Sequence, residues 1–129
     1  MIAENDLLFQ LIKGVLEEDR CPVVLCDTEH KIVYMNPAAC TRYQKYGGED
    51  LLGKSLLACH NAHSAAMIQK ILEWFGSDVT HNRVHTFYNE KENKDGYMIA
   101  LRGMQGELIG YYEKHEYRDQ DPEPFYQMD

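Results

Sequence analysis

The sequence predicts an α+β fold in which helices dominate the first half of the chain and strands the second. Three observations lead to this prediction. Residues 5–18 repeat apolar side chains at helical spacing, and residues 65–75 do so again. Residues 81–114 hold three β-branched and aromatic segments separated by polar turns. At 129 residues, the chain has the size of one domain with a core of its own.

Composition argues against several functional classes. The formal net charge is -8, and a surface of this sign repels phosphate backbones, so nucleic acid is not an expected partner. No apolar run has the length of a membrane span, and the N-terminus has acids where a secretion signal would have bases. We therefore expect a cytoplasmic protein. Its four cysteines lack CxxC spacing and are expected to be free thiols.

The first predicted element, within residues 1–19, is an amphipathic helix over residues 5–18. Its apolar side chains share one stripe: Leu7, Leu8, Leu11, Ile12, Val15 and Leu16. Because this helix precedes the first strand, it either folds back on the sheet or presents the stripe as a homodimer contact.

A β-hairpin and a short helix follow. Residues 23–26 and 32–35 are apolar and β-branched, and the polar residues 27–30 between them predict a turn. Asn36 and Pro37 then end the second strand and begin a helical segment, since proline is favoured at a first helical position. Gly47 and Gly48 end that segment.

The central part of the chain contains the cysteine and histidines of greatest chemical interest. Residues 49–57 predict a short helix and an apolar link, after which come Cys59, His60 and His63. Ser64 is the expected N-cap of the helix over residues 65–75, and Gly76 its expected stop.

The remaining elements are predicted strands. Residues 81–89 alternate, which puts His85 and Phe87 on the same face. Asp95 and Gly96 signal a hairpin turn before a strand over residues 97–102. The last strand is predicted over residues 108–114, and residues 118–129 as a loose tail.

The order of these elements resembles a PAS domain over residues 20–117. Three passages carry the resemblance: the hairpin leading into MNPAA, GGEDLLGKSLL, and GELIGYYE. It implies a five-stranded antiparallel sheet with helices on one face and a ligand cavity between them. The long helix would then line the cavity with Ile68 and Leu72. The scaffold serves many functions, so it leaves the ligand open.

A narrower resemblance concerns LLACHNAHSAAMIQKIL. This segment is similar to a PAS subgroup with C-H-x-x-x-S before the long helix, and to the haem-binding PAS domains of carbon-monoxide-responsive regulators. The resemblance implies haem b with His60 as an axial iron ligand, and it matches Ser64 to the family's serine. In that family a methionine on a later strand is the second ligand. The candidates here are His85, Met98 and Met104.

The residues themselves leave structural alternatives beside this chemistry. The positive end of the long helix disfavours a charged imidazole nearby, which suits His60 to a metal, but a backbone carbonyl could equally be its partner. Cys59 is a ligand, a redox thiol or a buried apolar residue. A zinc site of Cys59, His60 and His63 has poor geometry, because adjacent ligands on one turn do not form a tetrahedron.

The function expected from these residues and the resemblance is that of a sensory, ligand-binding signalling module. Two alternatives remain: a ligand-free dimerisation or interaction domain, and a binder of apolar small molecules. No phosphate-cradling glycine loop or nucleophile elbow is present, so we expect no enzymatic activity.

Overall fold

The computed structural model describes residues 4–127, with the side chains of residues 4 and 5 left aside. The helices are α1 (Glu4–Glu18), α2 (Pro37–Arg42) and α3 (Ala62–Ser77). The strands are β1 (Val23–Asp27), β2 (Ile32–Met35), β3 (Arg83–Asn89), β4 (Lys94–Arg102) and β5 (Leu108–Tyr117). Three short 3-10 turns between α2 and α3 span Gln44–Tyr46, Gly48–Leu51 and Leu56–Cys59.

The five strands form one antiparallel sheet in the order β2-β1-β5-β4-β3. The last strand lies at the centre, where β1 and β4 flank it. The short turns and α3 cover one face of the sheet, and the core lies between them. Its most buried members are Val24, Cys26, Ile32, Met35, Ala39, Leu51, Leu56, Ile68, Phe75, Met98 and Tyr111. The predicted α+β fold is therefore confirmed.

Two local predictions were wrong. Helix α3 begins at Ala62 rather than after Ser64, because the Asn61 side chain accepts a hydrogen bond from the Ser64 N–H (2.8 Å) and so caps the helix. Asp95 and Gly96 lie inside β4 and form no turn. The chain turns earlier, at residues 90–93, where Asn93 takes the left-handed conformation (φ 46°).

Helix α1 is attached to the rest of the domain only near its end. The stripe from Leu7 to Val15 is exposed; Phe9 is 68% and Val15 72% accessible. In the last turn, Glu17 accepts a hydrogen bond from the Tyr34 hydroxyl (2.7 Å). The sequence left two possibilities for α1, folding back on the sheet or forming a homodimer contact. In the structure, α1 is not folded back on the sheet. No helix of residues 4–127 is long and apolar enough to cross a membrane.

Candidate functional site

A cavity of about 560 Å³ lies between the start of α3 and the sheet. Residues of α3, of the three strands β3 to β5 and of the segment before α3 line it: Tyr43, His60, His63, Ser64, Met67, Ile68, Ile71, Val84, His85, Thr86, Phe87, Tyr97, Met98, Glu113 and His115. A smaller cavity of about 250 Å³ adjoins it beside β1, β2 and the 3-10 turns. Tyr43, His60 and Glu113 line both, so the two cavities meet at these side chains.

His60 lies at this junction. It follows the 3-10 turn Leu56–Cys59 in extended conformation and precedes the Asn61 cap, so the chain leaves the turn and presents His60 before α3 begins. Partial desolvation lowers the pKa of its imidazole from the usual value, which keeps the ring neutral at pH 7. A neutral imidazole with a free nitrogen is what a metal ion or a hydrogen-bonding ligand requires.

The other two residues of the predicted Cys-His cluster, Cys59 and His63, do not lie at the junction of the cavities with His60. Cys59 is exposed, lines only the smaller cavity, and has its sulfur 3.9 Å from the Ser55 carbonyl. His63 is an exposed residue of the first turn of α3 and, like Ser64, lines the larger cavity. Among residues 4–127, no group of three or more His, Cys, Asp or Glu side chains could hold a metal ion, so the disfavoured zinc site has no support.

The structure places His85 on another face of the sheet than the sequence predicts. The register slips between His85 and Phe87, since His85 pairs with Tyr97 and Phe87 with Gly96, which leaves Thr86 as an extra residue. The slip puts His85 on the opposite face from Phe87, contrary to the alternation that the sequence predicts. The imidazole stacks on the Tyr97 ring (5.1 Å between centroids), and its Nε2 lies 2.7 Å from Asp95 Oδ1. His85 still belongs to the lining of the larger cavity.

The two methionines predicted as second ligands, Met98 and Met104, lie in different places. Met98 is 1% accessible and points into the larger cavity from β4. Met104 lies in the turn between β4 and β5 and is fully exposed, so it cannot reach a ligand there. Of the two α3 residues predicted to line the cavity, Ile68 does so, whereas Leu72 packs against the core beside it.

The sequence analysis missed Glu113. This residue lies on the central strand β5, where it pairs with Met98 of β4 and Val24 of β1, so all three side chains point to the same face. Burial is the cause that raises the pKa of its carboxyl to about 7, and no described residue forms a hydrogen bond or ion pair with it. The alternation of buried Tyr111 with half-buried Tyr112 on this strand was the signal that could have revealed it.

His115 lies one pair further along β5 and was also missed. It is 8% accessible, with Nε2 3.4 Å from the Tyr43 hydroxyl and the Phe87 ring edge-on at 5.3 Å. Burial, and then the charges of Lys94 and Arg42, lower its pKa to about 4, so it is neutral. Its Nδ1 is buried without a hydrogen-bond partner among the described residues.

At the other end of the inward face, Tyr111 is completely buried. Its hydroxyl is hydrogen-bonded to His30 Nδ1 (2.8 Å), and the two rings meet edge-on. The sequence predicts that one of Tyr111 and Tyr112 faces inward and needs a partner, and His30 is that partner. The Tyr111–His30 pair lies in the core near the hairpin turn, and neither residue lines a cavity.

Asn36 connects the cavity wall to α1. Its buried side chain caps α2 by accepting from the Ala39 N–H (2.9 Å), and it also accepts from the Val23 N–H (2.9 Å). Its amide nitrogen donates to the carbonyls of Leu16 (3.0 Å) and Cys21 (2.9 Å). Asn36 therefore links the start of α2 to the last turn of α1.

The residues present fit a haem at one axial position. His60 supplies a neutral imidazole, Met98 is the predicted second ligand that is buried in the same cavity wall, and the nearby α3 wall is apolar. In the adjoining cavity, Arg42 and Lys45 supply cations for propionate groups.

The PAS domain sequence profile matches residues 20–116. Several solved structures share the fold. A PAS domain from Colwellia psychrerythraea is 15% identical, with TM-score 0.63 and coverage of 87% of this chain and 97% of that one. The Aer2 receptor from Vibrio cholerae, described as a dual PAS-heme oxygen sensor, is 20% identical, with TM-score 0.56 and coverage of 74% and 91%. A sensory box sensor histidine kinase from Vibrio cholerae is 15% identical, with TM-score 0.57 and coverage of 89% and 96%.

At these identities the structural likeness concerns the fold alone. Among curated proteins, none matches this sequence. The resemblance to the C-H-x-x-x-S subgroup and to the carbon-monoxide-responsive regulators stays a prediction.

Proposed function

This chain belongs to the PAS domain family, and we propose that it is a non-catalytic sensory module of the cytoplasm that binds a small ligand and signals through α1. One observation carries the proposal: the cavity of about 560 Å³ between α3 and the sheet. Its volume lies in the range of small-molecule sites, and its apolar walls with a few converging polar groups are typical of them. The acidic composition and four free cysteines support the compartment.

A short connection between the cavity and α1 supports the signalling role. Tyr43 lines the cavity and directly follows α2, whose N-cap Asn36 holds the Leu16 carbonyl at the end of α1. A ligand that displaces Tyr43 would shift α2 and change how α1 is held. Binding changes a two-state equilibrium only by the difference in affinity for the two states, so the ligand must favour one Tyr43 position.

We also propose that α1 mediates a homodimer. Five of the six apolar side chains of its stripe are each at least half exposed, namely Leu7, Leu8, Leu11, Ile12 and Val15, as is the neighbouring Phe9. A contiguous apolar surface of this kind is costly in water, and pairing with the same stripe of a second copy would bury it.

Haem b bound through His60 is the specific form of ligand binding that the sequence resemblance favours. The neutral imidazole at the cavity junction supports it. When bound, the iron would supply a site at which a gas or a change of redox state alters the ligation. His60 would hold the iron, and Met98 is the residue placed to approach its other side.

The ligand-free alternative has less support. A PAS domain that serves only as a dimerisation module would fill its interior with its own side chains, as close-packed cores do. Here the space beside Met98 and Ile68 is left open.

Expression with haem supplied, followed by visible spectroscopy, tests the haem form. We expect a Soret band in the wild type that His60→Ala abolishes and that His63→Ala, a control in the same cavity lining, retains. Absence of the band from the wild type would overturn the haem form. Native mass spectrometry tests ligand binding in general, because a co-purified small molecule would appear as an added mass. A wild type that carries no ligand and takes up none from a fragment library would overturn the ligand-binding function.

A further inference from the structure

The larger cavity has an uneven distribution of charge. Among the described residues that line it, Glu113 is the only acid, and there is no lysine or arginine. Two of its histidines, His60 and His115, have pKa values lowered by burial and carry no charge at pH 7. When Glu113 is ionised, its carboxylate is therefore the one acidic charge among the described residues of the larger cavity, since Arg42 and Lys45, which share the smaller cavity with it, lie outside the larger one.

Glu113 is held so that its carboxyl can meet a ligand. It projects from the central strand of the sheet, between Met98 and Val24 on the adjacent strands, and lines both cavities. No described side chain donates a hydrogen bond to it, so its oxygens are available. Glu113 is half-buried, and a ligand that supplies a charged donor would form a strong hydrogen bond with its carboxylate.

The surrounding side chains suit a cation with an apolar body. The rings of Tyr43 and Phe87 belong to the lining, and aromatic faces attract ammonium groups. Met67, Ile68 and Ile71 of α3 form an apolar wall opposite the sheet. The net charge of -8 on the whole chain further favours the approach of cations.

We propose that the larger cavity binds a small organic amine, with an apolar body against α3 and an ammonium group paired with the carboxylate of Glu113. This assignment rests on the proposed ligand-binding function and makes it more specific. Haem brings propionate carboxylates and no ammonium group, so it supplies no hydrogen-bond donor for Glu113. Organic amine and haem are thus competing ligands.

Three indole compounds with the same apolar body test the assignment: tryptamine with an ammonium group, tryptophol with a hydroxyl, and indole-3-acetate with a carboxylate. Calorimetric titration of the full chain at pH 8, where Glu113 is mostly ionised, compares their affinities. We expect tryptamine to bind about tenfold more tightly than tryptophol, because hydrogen bonds between charged groups are the stronger ones. Indole-3-acetate should bind most weakly.

Substitution identifies the group responsible. Glu113→Gln keeps the shape of the side chain and removes its charge, and we expect tryptamine affinity to fall about tenfold while tryptophol affinity stays within about twofold. Glu73→Gln is the matched control, since Glu73 is an exposed residue of α3 outside both cavities. Circular dichroism confirms that each variant is folded.

The groups that face Glu113 set the pH dependence. These are Tyr43, His60 and His115, together with Arg42 and Lys45 in the smaller cavity. As Glu113 ionises, the ratio of wild-type tryptamine affinity to that of Glu113→Gln should rise from pH 6 to pH 8. The comparison cancels the contributions of the other lining groups, His63 and His85 among them, because both proteins keep them.

Equal tryptamine affinity in the wild type and Glu113→Gln would overturn the assignment, as would tighter binding of indole-3-acetate. If tryptophol or indole-3-acetate binds and tryptamine does not, the assignment fails while the ligand-binding function stands. If none of the three binds, the assignment also fails, and native mass spectrometry then decides the ligand-binding function on its own.

Discussion

The side-chain amide of Asn36 donates a hydrogen bond to the main-chain carbonyl of Leu16, 3.0 Å away. Asn36 is completely buried and belongs to the start of α2, whereas Leu16 belongs to the last turn of α1. Helix C-termini leave carbonyls without partners, and here a residue from the core satisfies one of them. Together with the hydrogen bond from the Tyr34 hydroxyl to Glu17, the Asn36 side chain thus joins the exposed helix to the rest of the domain.

Replacement of Asn36 by alanine should destabilise the domain by about 3 kcal/mol, because it removes the α2 cap and leaves the buried Val23 N–H without an acceptor. Urea denaturation measures the change. The control is Asn61→Ala, which removes the exposed cap of α3 and should cost about 1 kcal/mol. Equal effects of the two substitutions would mean that Asn36 acts only as a helix cap.

The proposed homodimer predicts that a charge within the α1 stripe changes the assembly state. Ile12→Asp should convert a dimer into a monomer in light-scattering measurements after size exclusion, because pairing of the stripes would bury an uncompensated carboxylate. Gln10→Glu adds a charge beside the stripe without replacing a large apolar residue and should leave the dimer intact. A wild-type protein that elutes as a monomer at high concentration would contradict the proposal.

The elements that the sequence predicted well are those with a strong period. Helices α1 and α3 were predicted because apolar residues recur at helical spacing. The β1–β2 hairpin and α2 were predicted from their boundaries, a polar turn between two β-branched runs and proline at a first helical position. Ser64 and Asn61 are both good caps three residues apart, and sequence alone could not show which side chain would accept the hydrogen bond.

The candidate site was harder to predict. Alternation in β3 predicted that His85 and Phe87 share a face of the sheet. They lie on opposite faces because Thr86 is an extra residue in the strand, and a slip of one residue turns the following side chains to the other face. Glu113 was missed because a glutamate in a half-buried strand usually faces solvent, and only the sheet order shows that β5 is central. His60 was predicted from a resemblance that a short local segment carries, and the structure places it at the junction of the two cavities.

Alanine substitutions of two glycines in the sheet, Gly96 and Gly110, should lower the stability of the domain by different amounts. In Gly110→Ala, the new Cβ would overlap the main-chain carbonyl of Cys26, which cannot move without breaking the β1–β5 pairing. In Gly96→Ala it would overlap the Phe87 ring, which is 41% exposed and free to rotate outward.

We therefore expect Gly110→Ala to destabilise the domain by about 3 kcal/mol and Gly96→Ala by about 1 kcal/mol, as measured by urea denaturation. The double variant Gly96→Ala/Phe87→Ala should cost less than the sum of its single substitutions, since the overlap is then absent. Equal losses for the two glycine substitutions would show that the Phe87 ring is as fixed as the main chain.

The haem form of the ligand predicts a difference between two candidate axial ligands. His85→Ala should leave the Soret band unchanged, because the His85 imidazole is hydrogen-bonded to Asp95 on the other face of the sheet. Met98→Leu, which keeps the volume of the side chain, should shift the band of the haem-loaded protein by removing the thioether. A band that shifts in His85→Ala and not in Met98→Leu would reverse this assignment.

Protonation of Glu113 should contribute to the free energy of unfolding at low pH, and this contribution should be lost as the pH rises. Its pKa is about 7 in the folded domain, above the value near 4.5 of an exposed glutamate, so the folded state retains a proton that the unfolded chain releases. This contribution is complete below pH 4.5 and disappears as the pH passes 7. Its magnitude is about 3 kcal/mol, since each pKa unit corresponds to about 1.4 kcal/mol.

The burial of His60 and His115 acts in the opposite direction, because lowered histidine pKa values cost stability as the pH falls below about 6.5. The comparison of the wild type with Glu113→Gln cancels that contribution. We expect the free energy of unfolding of the wild type, relative to the variant, to fall by about 3 kcal/mol between pH 4.5 and pH 8. A difference that does not change with pH would mean that the carboxyl is solvated in the cavity and ionises at its ordinary pKa.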